Sequence, residues 1–424
     1  MNIHIRNGRL IDPKNGIDAQ QDVFIVARRI AGIGNVPAGF VAEQVIDADG
    51  LIVMPGLMDV AARLREPGYE YRATLESEMA AAVAGGVTSL ACPPDTDPPL
   101  DEPGLVEMLK HRARSLNQAR VFPIGALTYG LKGAELTEMN ELTEAGCKAF
   151  SQAEAPLTDT RVLLRAMQYA ATFGFRVWLR AQDSFLAKNG VAHDGEVATR
   201  LGLPAIPVVA ETIALSTALH LARETGVTLH ICRISSAAGV EMIREAKREG
   251  LNVTCDVSMN HVHLTEMDIG YFDSNCHLVP PLRSMRDRAG LRAGLLDGTI
   301  DAICSNHSPV DDDAKQLPFG EAEFGATGLE LLLPLVLKWA EQEKVPLLDA
   351  LARITINPAG LLGQKMGHLS VGAHADICVF DPKAVWKVEP AALKSQGKNT
   401  PFNGYEMQGR VRYTVLDGQV VFKQ

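Results

Sequence analysis

Two textures divide the chain. In short runs at 3–6, 22–26, 29–33 and 44–47, apolar and polar positions alternate with a period of two between Gly and Pro breaks, the pattern of half-buried antiparallel strands. The same texture returns at 376–381 and 411–422, so the two ends together predict one small β-sandwich. Between them, almost wholly apolar runs at 53–60, 87–93, 120–127, 146–153, 176–183, 228–235, 252–258 and 300–306 alternate with amphipathic patterns such as 76–84, 104–116, 161–172, 211–225, 237–249 and 284–296. Strands that are apolar on both faces are covered on both faces. Eight of them with helical crossovers predict an α/β chain built on a parallel (β/α)8 barrel of TIM type. The expected division is a barrel over 54–357 and a composite sandwich from 1–53 and 358–424. A doubly wound open sheet is the alternative, but no G-x-G-x-x-G follows the first strand.

Composition narrows the class. At 424 residues, with 46% hydrophobic and 22% charged positions, the chain has the usage of a folded globular protein too long for one core. The net charge of -10, with acids and bases interleaved, argues against nucleic acid and membrane surfaces as partners. The N-terminus lacks a signal-peptide layout and no apolar run approaches the ~18 residues of a spanning helix, so the expected location is the cytoplasm. Seven scattered cysteines without a C-x-x-C pair read as reduced core residues.

In a barrel the functional groups sit where strands end. After the first strand the chain reads Met54-Pro55-Gly56-Leu57-Met58-Asp59-Val60-Ala61-Ala62-Arg63-Leu64-Arg65-Glu66-Pro67-Gly68, and after the second Pro94-Asp95-Thr96-Asp97. Arg180-Ala181-Gln182-Asp183 follows the fifth, and His230-Ile231-Cys232-Arg233-Ile234-Ser235 lies at the sixth. Pro280-Pro281-Leu282-Arg283 precedes a helix, and Ser305-Asn306-His307-Ser308-Pro309 ends the eighth strand. In these motifs, and over nearly its whole length, the sequence resembles the dihydroorotases of pyrimidine biosynthesis, within the amidohydrolase superfamily.

That resemblance implies a fold and also a loss. Active members hydrolyse a cyclic amide with zinc, a metal-bound hydroxide and an aspartate that handles the proton. The positions matching their ligands are Ala61, Arg63, Gln152 or the adjacent Ala153, Arg180 and Arg233, and the proton-handling aspartate is matched by Asn306. A methyl group has no lone pair, a guanidinium stays protonated, and a carboxamide cannot take up a proton at neutral pH. No catalytic residue and no zinc or other cofactor is therefore expected. Of the substrate contacts, Arg65 matches the arginine that holds the substrate carboxylate, whereas Asp95, Val279 and Val310 replace an asparagine, an asparagine and a histidine. Some bacteria carry a dihydroorotase-like chain without zinc ligands that assembles with aspartate carbamoyltransferase and supports its activity. This sequence resembles that chain, which implies a homodimer inside a hetero-oligomer.

Three replacements are arginines. Arg63, Arg180 and Arg233 are expected to converge, and buried guanidiniums must pair, with Asp59, Glu154, Asp183 and Asp256 as candidates. The pocket reads either as an internally paired plug or as an anion clamp that senses a carboxylate or phosphate. A third alternative is an active cyclic amidase with a displaced metal on His230, His261, His263 or His307, residues that otherwise read as ordinary polar positions. Asp311-Asp312-Asp313 lacks the spaced ligands and glycine of a calcium loop and reads as solvated, and Gly85-Gly86 reads as a turn.

Overall fold

The computed structural model describes residues 2–424. The eight barrel strands are β1 (Leu57–Asp59), β2 (Val87–Cys92), β3 (Arg120–Pro123, resumed at Gly125–Ala126), β4 (Phe150–Ser151), β5 (Arg176–Leu179), β6 (Thr228–Ile231), β7 (Val253–Ser258) and β8 (Ala302–Cys304). Each pairs in parallel with the next. The ring closes where His307 bridges Ala62, its N–H donating to the Ala61 carbonyl at 3.0 Å and its carbonyl accepting from Arg63 N–H at 2.9 Å. Closure excludes the open-sheet alternative. No helix among the described residues is long and apolar enough to cross a membrane.

Local signals set the crossovers. Asp159 caps the helix Thr160–Phe173 by accepting from Arg161 and Val162, and Gly174 ends it at φ 71°, a left-handed position that favours glycine. The barrel floor is apolar, with Met58, Ala91, Ile124, Ala149, Trp178, Ala302 and Cys304 packed on Ala359, Leu361 and Leu362.

The remaining strands form two sheets, one built from Ile3–Arg6, Val23–Val26, Arg29–Ile33 and Gln44–Asp47. The other joins Arg9–Asp12, Ile17–Gln20 and Ile52–Pro55 to Ile377–Lys387, Glu406–Leu416 and Gln419–Lys423. Both termini thus contribute, but three boundaries move. The apolar run at 53–60 is two strands, Ile52–Pro55 in the sandwich and Leu57–Asp59 in the barrel, split at Gly56, where a Cβ would strike the Thr88 side chain. The helix Ile356–Leu361, expected to start the second sandwich segment just after 357, plugs the barrel floor instead. Residues 395–400 leave the sandwich and lie over the barrel: Ser395 Oγ donates to Glu78 at 2.7 Å, and the Asn399 amide donates to the Ser308 and Gly325 carbonyls, each at 3.0 Å.

Candidate functional site

The barrel strands are shorter than their apolar runs, and the groups of interest lie just past their ends. Several of these residues are left-handed: Arg65 (φ 63°), Ala153 (φ 50°), Arg233 (φ 53°) and Asn306 (φ 50°). Such non-glycine positions cost of order 1–3 kcal/mol each and persist only where the surroundings hold them. The one at Ala153 brings the following Glu154 into the barrel mouth.

The centre of the mouth is Glu154. Its Oε1 accepts from Arg63 Nη2 at 2.9 Å and lies 2.6 Å from Arg233 Nη1, while its Oε2 pairs with Arg180 Nε. Burial alone would raise this carboxyl, but Arg180, Arg233 and Arg63 together hold it well below the usual carboxylate range. The expected convergence of the three arginines is therefore present, and one of the four candidate partners accounts for it. Asp95, which lies after the second strand, accepts a hydrogen bond from Arg63 Nε at 2.7 Å. The other candidates are engaged elsewhere. Asp59 accepts from the Ser305 hydroxyl and N–H, Asp183 caps the turn at Phe185 and Leu186, and Asp256 accepts from Arg233 N–H and pairs with His230.

The degenerate positions occupy the same mouth. Ala61 is buried and gives only its carbonyl to the barrel seam, and Gln152 Oε1 accepts from Thr128 Oγ1 at 3.0 Å. Asn306 Oδ1 accepts from Arg233 Nη1 at 3.0 Å, and its amide donates to the Val279 carbonyl at 3.3 Å. Val310 is buried, its N–H donating to Asn399 Oδ1. A divalent ion does not fit this donor set, because three cations and a methyl group stand where ligands are needed and the one central carboxylate is already shared among guanidiniums.

Arg65 is the exception to this pairing. It is 8% exposed, and its partners are neutral: the Pro309 carbonyl at 2.9 Å and Ser308 Oγ at 3.4 Å. Burial, followed by the like charge of Arg63, pushes its pKa down to about 10. Four guanidiniums thus face two carboxylates. Beside them a cavity of about 320 Å³ opens between the ends of β4 and β5, lined by Glu154, Arg180, Gln182 and Phe185 among others.

The histidines are fixed by structural contacts. His261 and His263 each meet a carbonyl through Nε2, Pro281 at 3.1 Å and Leu335 at 2.8 Å; burial pushes their pKa values down to about 4 and about 3. His307 accepts from Gly328 N–H at Nδ1, so Nε2 carries the proton and donates to Glu78 at 2.5 Å, both side chains fully buried. His230, Cys232 and Asp256 place their ligand atoms within 4.8 Å of one another in the barrel interior. Both ring nitrogens there are engaged, Nε2 with Asp256 at 2.8 Å and Nδ1 with Thr254 at 2.9 Å, and burial pushes the Cys232 thiol far above its ordinary range. The spacing in sequence gave no sign of this trio, because Asp256 comes from the neighbouring strand. Asp311 caps the short helix Asp312–Lys315, and Gly85 caps the helix Leu75–Ala84.

A family profile described as Dihydro-orotase-like matches residues 50–238. Over 420 residues the chain is 45% identical to a "Dihydroorotase-like protein" of Pseudomonas putida, covering 99% of both chains. It is 42% identical over 423 residues, all of both chains, to a "Dihydroorotase" of Geobacter sp. (strain M21). Among solved structures, the L-hydantoinase (dihydropyrimidinase) of Arthrobacter aurescens matches with a TM-score of 0.89 at 25% identity, covering 99% of this chain and 96% of that one. A barrel closed at His307, a two-sheet sandwich drawn from both termini and full-length relatives under both names converge on one assignment: the chain belongs to the dihydroorotase-like family of the amidohydrolase superfamily.

Proposed function

We propose that this chain is a non-catalytic dihydroorotase homologue, without zinc, that acts as a homodimeric scaffold for aspartate carbamoyltransferase. The observation that carries the first half is the clamp of Arg63, Arg180 and Arg233 on Glu154. Amide hydrolysis at a metal-bound hydroxide needs lone pairs for the ion and a group that accepts a proton. Guanidiniums supply neither, and Asn306 donates and accepts hydrogen bonds as a neutral amide. The scaffold half is supported by the resemblance in sequence to a chain of that kind and by relatives named only dihydroorotase-like. The experiment is to purify the chain with and without the co-expressed transferase, measuring mass, zinc and both activities. A zinc-free chain without dihydroorotate turnover, forming a complex that restores transferase activity, is the expected result. Stoichiometric zinc with turnover would overturn it in favour of the hydrolase reading that relatives named dihydroorotase suggest.

Arg65 favours a second reading, in which the mouth binds a small carboxylate and signals to the partner. A buried cation without an ionic partner is costly, and an anion beside it removes that cost. A rise in melting temperature with dihydroorotate or carbamoyl aspartate, absent in Arg65→Ala, supports it; no shift rejects it.

A further inference from the structure

The second concentration of positive charge lies at the opposite end of the barrel, below the starts of β3 and β4. A cavity of about 530 Å³ opens there against the sandwich, and its lining carries Arg28, Lys110, Arg114, Arg120 and Lys148 with a single carboxylate, Asp417. In a chain of net charge -10 this is a marked reversal of sign. The one carboxylate is already engaged, lying 2.5 Å from Arg120 and 2.7 Å from His374, and Arg120 also pairs with Asp376. Lys110 Nζ donates to the Ala145 carbonyl at 2.6 Å, over Gly146, where any side chain would collide with it. No carboxylate among the described residues lies within ion-pair distance of Arg28, Arg114 or Lys148.

Two helix ends account for part of this charge. Arg114 lies in the last turn of the helix Pro103–Leu116, and Lys110 meets the end of Met139–Ala145. Each helix terminus offers about half a negative charge, so the pair balances about one unit. Lys148 and Arg28 stand at no helix end, and Arg28 projects from a turn at φ 72° in the sandwich. Burial, with Arg114 and Lys148 next, lowers the Lys110 pKa, in keeping with cations that repel one another. Phe122 and Val121 supply an apolar side.

We propose that this basal cavity binds a phosphorylated small molecule of nucleotide size, with Lys110, Arg114, Lys148 and Arg28 holding the phosphates. The volume falls within the roughly 300–1,000 Å³ typical of small-molecule sites. The site is separate from the barrel mouth and does not depend on the scaffold reading.

The test is calorimetry and thermal shift on the full chain at fixed ionic strength, with adenosine triphosphate, inorganic tripolyphosphate and adenosine as probes. Saturable binding of both polyphosphates at one equivalent, tighter for the nucleotide and absent for adenosine, is expected. Lys148→Ala and Arg114→Ala each weaken it by roughly tenfold, the loss of one charge-assisted phosphate contact, while Lys148→Arg retains it. Arg65→Ala, at the other end of the barrel, leaves it intact. No saturable binding, or binding that survives both alanine variants or disappears with Arg65→Ala, overturns the proposal. So does binding confined to polyanionic macromolecules, which would make the surface a docking face instead.

Discussion

Replacing Glu154 by Gln removes one negative charge while keeping the side chain's shape, and the surrounding geometry sets the cost. Arg63 retains Asp95 at 2.7 Å, but the guanidiniums of Arg180 and Arg233 lose the one carboxylate each contacts, keeping only the amide oxygens of Gln182 and Asn306. At an effective dielectric constant of about 20, each contact near 3 Å is a gross attraction of about 5 kcal/mol, mostly offset by desolvation. Leaving a buried partner without its counter-charge costs about 3–5 kcal/mol, and a hydrogen bond to the new amide oxygen returns about 1. We expect a net loss of about 3 kcal/mol at pH 7 in urea unfolding followed by tryptophan emission, since Trp178 lies in the barrel floor. The pH dependence has a fixed sign. The folded Glu154 is held below its ordinary value of 4.5, so its contribution is fully present above 4.5 and is lost as pH falls through the folded value. The difference between the two proteins therefore narrows below pH 4.5. A variant within about 0.5 kcal/mol of the parent at pH 7, the range of ordinary surface changes, would refute the idea that Glu154 neutralises this mouth.

Other expectations concern neighbouring residues. Asn306→Asp places a carboxylate 3.0 Å from Arg233 in a region of excess positive charge, so the melting temperature holds or rises and no dihydroorotate turnover appears; measurable turnover would contradict the reading of the mouth. His261 and His263 are depressed from 6.5 to about 4 and about 3, so the stability their neutral forms contribute is complete above pH 6.5 and declines as pH falls. Between pH 7.5 and 5 each gives up about 2 kcal/mol, a loss that His261→Gln and His263→Gln should abolish in urea titrations at both pH values. Asn399→Ala leaves Val310 N–H and two carbonyls without partners and is expected to cost about 2–3 kcal/mol. Limited proteolysis should then cut between residues 311 and 325 faster than in the parent, and an unchanged rate would count against that clamp.

The period of the apolar positions made the barrel legible, because a strand buried on both faces writes its burial into every residue. The helix limits were equally readable at Asp159 and Gly174, where a cap and a left-handed glycine mark the ends. Strand ends were not. Arg180 and Arg233 belong to apolar runs in sequence but stand beyond Leu179 and Ile231, and at Arg233 a left-handed residue redirects the chain without changing its hydropathy. The resemblance puts the fourth-strand ligand position at Gln152 or Ala153, whereas the left-handed turn at Ala153 brings Glu154 to the centre. The Arg65 environment also escapes sequence reading, because what defines it is the absence of a counter-charge among residues distant in the chain. The basal cavity, assembled from a helix, two strand leads and a sandwich turn, left no local motif at all.

Asn399 has a bearing on how the chain is made. Its amide and carbonyl groups join Ser308, Val310, Gly325 and Thr327, all of them synthesised at least seventy positions earlier. On the ribosome, the loop after the eighth strand must therefore wait for the final stretch of chain to emerge before its hydrogen bonds are complete. Until then the loop lacks these partners, although the barrel seam at His307 can already close. A truncation meant to remove only part of the sandwich would release the barrel's last loop as well, so the two layers should melt as one cooperative unit and not in succession.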